Sequence, residues 1–209
     1  MATTRTSTSM AERRQRSIAT LRRAAKACRA CPLWKNATQT VFGEGPDRAS
    51  IMLVGEQPGD REDIEGRPFV GPAGRLLDQA LDEAGIPRQR VYVTNAVKHF
   101  KFEPRGKRRI HKKPSDREIA ACLDWLKGEM EIMKPAVIVV LGATALRAML
   151  GRSTTIASMR GRIIDFAPGT SLLATAHPSY LLRVPGEARA MEYRRFVADL
   201  RLATKFLDA

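Results

Sequence analysis

Four short apolar runs restrict this chain to a small set of folds. Ser50–Val54, Val91–Thr94, Val137–Leu141 and Ser171–Ala176 contain no charged residue. Strands covered on both faces read as near-continuous apolar runs of this kind. Between and after them lie segments of helical composition at Gly74–Ala84, Ser115–Met133, Ala143–Leu150 and Glu187–Phe206. Strand–helix alternation implies right-handed crossovers and a mainly parallel sheet. The expectation is an α/β fold of three layers, αβα, around a central four-stranded parallel sheet. A chain of 209 residues suffices for one domain with its own core. That domain is placed at 21–209. Residues 1–20 are read as a disordered basic extension, although 11–27 also suit a short basic helix.

Several classes are excluded early. No stretch approaches the ~20 apolar residues of a membrane span. The N-terminal basic residues are not followed by an apolar run, so a secretory signal is absent and a cytoplasmic, nucleoid-associated location is expected. Three cysteines are too few for a disulfide scaffold. No protein partner is evident, and a monomer is expected.

The net charge is +14, and it is concentrated. Residues 1–29 and 98–113 each contain eight Lys/Arg and one acid, while the remaining 164 residues balance at 20 of each sign. Focused positive charge of this kind favours a polyanion, most commonly nucleic acid.

In an open parallel sheet, ligands sit beyond the carboxyl ends of the strands. After the first strand come Gly55, Glu56, Gln57, Pro58, Gly59 and Asp60. Asn95 follows the second, with Lys98, His99 and Phe100 beyond it. Gly142-Ala143-Thr144 follows the third, and His177-Pro178-Ser179 the fourth. All three histidines, His99, His111 and His177, lie in these connections or their extensions. Carboxylates, amides and a histidine at one sheet edge suit recognition of a polar ring and a charge-separating reaction. No phosphate loop, G-x-S-x-G or H-E-x-x-H is present. Cys28-x-x-Cys31 and the distant Cys122 offer three thiolates. A zinc knuckle or a redox pair uses the same spacing, and Cys122 could equally be a buried helix residue. His99 could complete a set of four, since imidazole replaces cysteine on some iron–sulfur centres.

The segments GEQPG, GRPFVGPAGRLLD, TNAVKHFKF and HPSYLLR resemble the uracil-DNA glycosylase superfamily, in particular its iron–sulfur family 4. The run Lys107-Arg108-Arg109-Ile110-His111 resembles the signature loop of the UdgX subfamily. The likeness covers about residues 24–206. It implies uracil-containing DNA as partner, single-stranded or duplex, and excision of uracil as the activity. It also implies a [4Fe–4S] cluster held by Cys28, Cys31, His99 and Cys122, with His99 standing where family 4 has a cysteine. Phe69 matches the aromatic that stacks on the flipped base, Asn95 the amide that reads it, and His177 the histidine near O2. Glu56 and Gln57 fall on the first active-site motif, with Gln57 and Asp60 the candidates for excluding thymine. His111 matches the UdgX histidine that becomes attached to DNA, leaving the protein on the abasic site after one turnover. Multiple turnover with release of a free abasic site is the alternative. Lys107, Arg108, Arg109 and Arg183 are expected at the DNA.

Overall fold

The structure is a computed structural model that describes residues 17–151 and 154–208. In chain order the elements are α1 (Ile18–Ala25), β1 (Ile51–Gly55), α2 (Asp60–Glu65), α3 (Pro72–Ala84), β2 (Val91–Asn95), β3 (Phe102–Arg105), β4 (Arg108–His111) and α4 (Asp116–Met133). They continue as β5 (Val137–Leu141), α5 (Ala143–Leu150), α6 (Ile156–Met159), β6 (Ile163–Ala167), β7 (Thr170–Thr175), α7 (Pro178–Leu181) and α8 (Gly186–Arg201). The central sheet has the order β2-β1-β5-β7-β6. β1 pairs in parallel with β2 and β5, and β5 with β7.

The four parallel strands coincide with the four apolar runs. The expected four-stranded sheet is corrected by a fifth strand, β6, which returns antiparallel on β7 as an edge. Its residues are only partly buried, so it lacks the continuous apolar signature of its neighbours. A second correction concerns the basic segment 98–113. It is an antiparallel ribbon of β3 and β4, with Phe102 opposite His111 and Arg105 opposite Arg108. Its turn needs a left-handed residue, which Gly106 supplies at φ 58°. Residues 1–16 of the expected extension lie outside the described residues, whereas Ser17 caps α1 and Ile18 is buried.

Alternation along the strands divides the core into two halves. Met52, Val54, Ile138, Val140 and Leu172 face α1, α4 and α5. Ile51, Leu53, Val93, Val139 and Leu173 face α3 and α8. The start of α4 is fixed by a capping box. The Ser115 hydroxyl accepts from the Glu118 amide, and the Glu118 carboxylate accepts from the Ser115 amide at 2.6 Å.

Leu53 lies on a central strand with no solvent exposure. Leu53→Ala should cost about 2–5 kcal/mol of unfolding free energy, read by chemical denaturation; a loss below ~1 kcal/mol would contradict the packing described.

Candidate active site

The sheet brings the residues after its strands to one edge. Glu56, Gln57, Thr144 and His177 line a cavity of about 950 Å³, joined by His111 from the ribbon and Arg183 from beyond α7. The turn after β1 is held in register by backbone bonds from Ala96 to Gly55 and from Val97 to Glu56.

His177 has a defined proton position. Its Nδ1 accepts from the backbone N–H of Ser179 at 3.1 Å, and the Ser179 hydroxyl lies 2.8 Å away. A nitrogen that accepts from an amide carries no proton, so the neutral ring bears its hydrogen on Nε2. Burial pushes its pKa down to about 4, and His111 and Arg183 act in the same direction. His177 is therefore a neutral donor at ordinary pH.

Phe69 stacks on the His177 ring, with centroids 6.1 Å apart and planes inclined by 28°. Its backbone is left-handed, at φ 58°, a conformation that costs a non-glycine residue free energy and recurs at functional sites. Gly74 makes room for it, because a Cβ there would collide with the Phe69 carbonyl. Gly55 has a similar role: a Cβ would strike Asn95 Oδ1 and the Phe69 ring. Phe69 and Asn95 thus meet over Gly55 and beside His177, set back from the wall of the large cavity. The Asn95 side-chain amide makes no hydrogen bond to the described residues, which leaves its donor and acceptor for a ligand. The special backbone at Phe69 and the clearance at Gly55 and Gly74 were not read from the sequence. Nor was Thr144, which donates to Glu56.

His111 ends β4, half-exposed, with its ring tilted against Phe100 at 6.0 Å. An acceptor and a donor meet at its Nε2: Glu56 Oε1 at 3.5 Å and Gln57 Nε2 at 2.9 Å. Gln57 supports the bare nitrogen and Glu56 the protonated one. Burial holds the imidazole below its ordinary pKa; Glu56 opposes this and Arg183 adds to it. Burial is the largest cause, and the cation concerned is Arg183 and not a basic residue flanking His111 in sequence.

Two expected base contacts are otherwise engaged. The Gln57 amide accepts from Lys101 N at 3.2 Å and faces the carbonyls of Lys101 and Lys112 at 3.2 and 3.0 Å. It therefore clamps the ribbon. Asp60 pairs with Arg109 at 2.5 Å. Arg109 also bonds the buried Asp63 at 2.6 Å and the Thr38 hydroxyl at 3.2 Å. Arg109, expected at the DNA, is in this structure the clasp that fixes the ribbon to Asp60 and Asp63. Lys98, Lys101 and Lys112 are likewise paired, with Glu129, Glu118 and Glu103. Lys107 and Arg108 remain exposed at the ribbon tip, with no ion pair among the described residues.

Cys28, Cys31 and Cys122 are buried free thiols. Burial raises the pKa of Cys31, and pushes that of Cys122 up to about 11. Each of two sulfurs has a donor: Trp125 Nε1 lies 3.2 Å from Cys28 and Lys98 N lies 3.1 Å from Cys122. Among the described residues His99 Nδ1 is buried without a partner, an exception that a bound group would account for. Among the described residues no group of three or more candidate side chains gathers closely enough for a single metal ion. A cluster interposes its own irons and sulfides between ligands and needs wider spacing. Three soft thiols and an orphaned imidazole nitrogen fit such a group.

The fold and site thus define an α/β protein with a histidine-centred cavity at its parallel strand ends, shaped for a reaction that separates charge. Residues 42–201 match the model of the "Uracil DNA glycosylase superfamily", and the chain belongs to that family. It is 45% identical over 184 residues to a "Type-4 uracil-DNA glycosylase" of Thermotoga maritima, covering 87% of this chain and 90% of the relative. It is 38% identical over 173 residues to a "Type-4 uracil-DNA glycosylase" of Sulfurisphaera tokodaii, covering 79% and 76%. A "Type-5 uracil-DNA glycosylase" of Pyrobaculum aerophilum is 31% identical over 190 residues, covering 79% of each. Among the described residues no helix is long and apolar enough to cross a membrane.

The lowered pKa of His177 has a defined sign. Unfolded, the ring titrates near 6.5; folded, near 4. Between those values the unfolded chain binds more protons, so this residue's contribution is complete above pH 6.5 and is lost as pH falls toward 4. Melting temperature should therefore drop across that window, and His177→Gln should flatten the drop. An unchanged slope in the variant would show that His177 is not buried as described.

Proposed function

We propose that this protein excises uracil from DNA and that His111 then captures the sugar, leaving the protein covalently attached to the abasic site. The observation that carries the covalent step is the placement of His111 on the cavity wall, with Glu56 Oε1 3.5 Å from its Nε2. Relatives called type-4 uracil-DNA glycosylases support the excision.

The target base must leave the duplex stack before its glycosidic bond is accessible. Phe69 offers a ring face to the extruded base, where stacking contributes roughly 1–3 kcal/mol. Asn95 presents one donor and one acceptor, which match O4 and N3–H of uracil. As the C1′–N1 bond breaks, its electron pair moves onto the uracil ring. The Nε2–H of His177 donates to O2 and stabilises that charge, as an oxyanion donor does.

The sugar is left electron-poor at C1′. Neutral His111 attacks there through the ring nitrogen remote from Glu56, forming an N–C1′ bond. The resulting imidazolium loses its Nε2 proton to Glu56, which Thr144 orients. The product is a neutral N-glycosyl imidazole with a poor leaving group, and it persists. Cys28, Cys31, Cys122 and His99 would hold a [4Fe–4S] cluster. Bound there, it would tie the 28–31 segment, the 96–100 loop and α4 together.

A second reading has water attack C1′ and the abasic DNA depart. The likeness to type-4 uracil-DNA glycosylases favours it. Incubation with uracil-containing DNA and a denaturing gel separates the two. A band shifted by the mass of the protein is expected from covalent capture, whereas an alkali-labile site with no shift supports water. In His111→Ala the shifted band should vanish while uracil release persists in part, because Asn95, Phe69 and His177 remain. A surviving adduct in that variant would refute capture by His111.

Binding should weaken with salt, each phosphate contact adding about −0.7 to −0.9 to the log–log slope. Lys107→Ala with Arg108→Ala should therefore reduce the slope by roughly 1.4–1.8. Arg183 lines the cavity and is expected at the point where the base leaves. A slope unchanged in the double variant would remove the ribbon tip from the interface.

A further inference from the structure

We infer that Thr40 is the positioning residue that sets the His99 tautomer and so presents the buried Nδ1 lone pair as a cluster ligand. The inference rests on the cluster reading above and concerns a residue outside the ligand set.

The argument is one of proton counting. Thr40 Oγ1 lies 3.0 Å from the carbonyl oxygen of Ala25 and 3.0 Å from His99 Nε2. The hydroxyl has a single proton and two acceptor lone pairs. A carbonyl oxygen cannot donate, so the contact with Ala25 is attractive only when the threonine proton lies in it. The contact with His99 must then take its proton from the imidazole. The one arrangement that fills both contacts runs from Nε2–H of His99 to Oγ1, and from the Oγ1 proton to the oxygen of Ala25. In a neutral ring this leaves Nδ1 bare. The same Nδ1 is buried without a partner among the described residues.

The reversed chain, with Thr40 donating to Nε2, would leave two oxygen atoms facing each other without a proton. It would also strand an N–H at a buried position, which costs about 1–3 kcal/mol. A metal ligand of this type is a neutral imidazole whose second nitrogen donates to a fixed acceptor. The backbone holds Thr40 in register for that task, since Val41 N donates to Lys98 O at 2.8 Å. Ala25 O also accepts from Cys28 N at 3.0 Å. One carbonyl therefore holds the Cys28 backbone directly and the imidazole through Thr40.

The test uses the full chain purified without oxygen, with Thr40→Val and Thr40→Ser made in the native background and in His99→Cys. The readouts are iron per chain, the rate of visible bleaching under a chelator, and the midpoint potential. Thr40→Val removes the hydroxyl at nearly constant volume and should bleach about 10–100-fold faster, the usual cost of losing such an outer partner. Thr40→Ser should restore native behaviour. In His99→Cys the same Thr40→Val change should alter neither bleaching nor potential, because a thiolate has no tautomer to set. Equal acceleration in both backgrounds would show that Thr40 only supports the fold and would overturn the inference, as would native bleaching in Thr40→Val. A native chain without iron would overturn the cluster reading itself, and this inference with it.

Discussion

The buried ion pair between Lys98 and Glu129 is the contact on which the geometry of both halves of the site depends. Both side chains are fully removed from solvent and their charged atoms lie 2.5 Å apart. Burying two charges costs several kcal/mol per ion, and mutual attraction offsets this only when the remaining donors and acceptors are filled. Here they are. Lys98 Nζ also donates to Thr94 Oγ1 at 2.6 Å and to the Asn95 carbonyl at 2.7 Å. Glu129 also accepts from Tyr92, Thr94 and Gly43 at 2.8–3.0 Å. The pair therefore fixes the end of β2 to α4. The Lys98 backbone N–H donates to Cys122 Sγ, so one residue fixes the Asn95 end of β2, precedes His99 and donates to a thiol. A hydrophobic pair of equal volume would pack as well, but it would leave the Asn95 carbonyl without this donor.

A second ionic contact does comparable work for the ribbon. A two-stranded hairpin alone is marginal in water, and β3 and β4 lie outside the main sheet. Arg109 anchors them to Asp60 and Asp63, and Gln57 anchors them from the other side. The histidine at the end of β4 thereby comes to face Glu56. Much of the positive charge in this segment is paired with carboxylates, and Lys107 and Arg108 stay exposed at the tip.

The parallel strands were legible because covered strands leave an uninterrupted apolar record, and the boundaries of α5 coincided with its expected range for a similar reason. Ser115 and Glu118 carried the start of α4. β6 was missed because an edge strand with mixed burial has no such record. The ribbon was missed because Phe102–Arg105 and Arg108–His111 present charge and a proline where strand patterning expects alternation. Glu56, Gln57, His111, His177 and Arg183 were singled out as residue types at strand ends or in the basic segment, and the structure gathers them around one cavity. Their division of labour was not legible, because it depends on partners remote in sequence. Lys98 counted as surface charge until Glu129, 31 positions away, accounted for it. Gln57 and Asp60 read as base contacts until the ribbon was seen to occupy them.

The three histidines show what remains hidden in composition. Each is an imidazole in a loop or at its margin, and each is pushed toward the neutral form by burial. Neutral imidazole has one donor and one acceptor, so its chemistry is decided by the neighbour that claims one nitrogen. At His177 an amide N–H claims Nδ1, and the ring becomes a donor suited to a departing anion. At His99 a threonine hydroxyl lies 3.0 Å from Nε2, and in the arrangement proposed above Nδ1 is left bare. At His111 a carboxylate and an amide share Nε2, which leaves its proton able to depart. One side chain can thus present a donor, a lone pair or a transferable proton at three places in the same fold. It needs only hydrogen-bond partners of opposite sense, set by the backbone of Ser179, the hydroxyl of Thr40 and the paired side chains of Glu56 and Gln57.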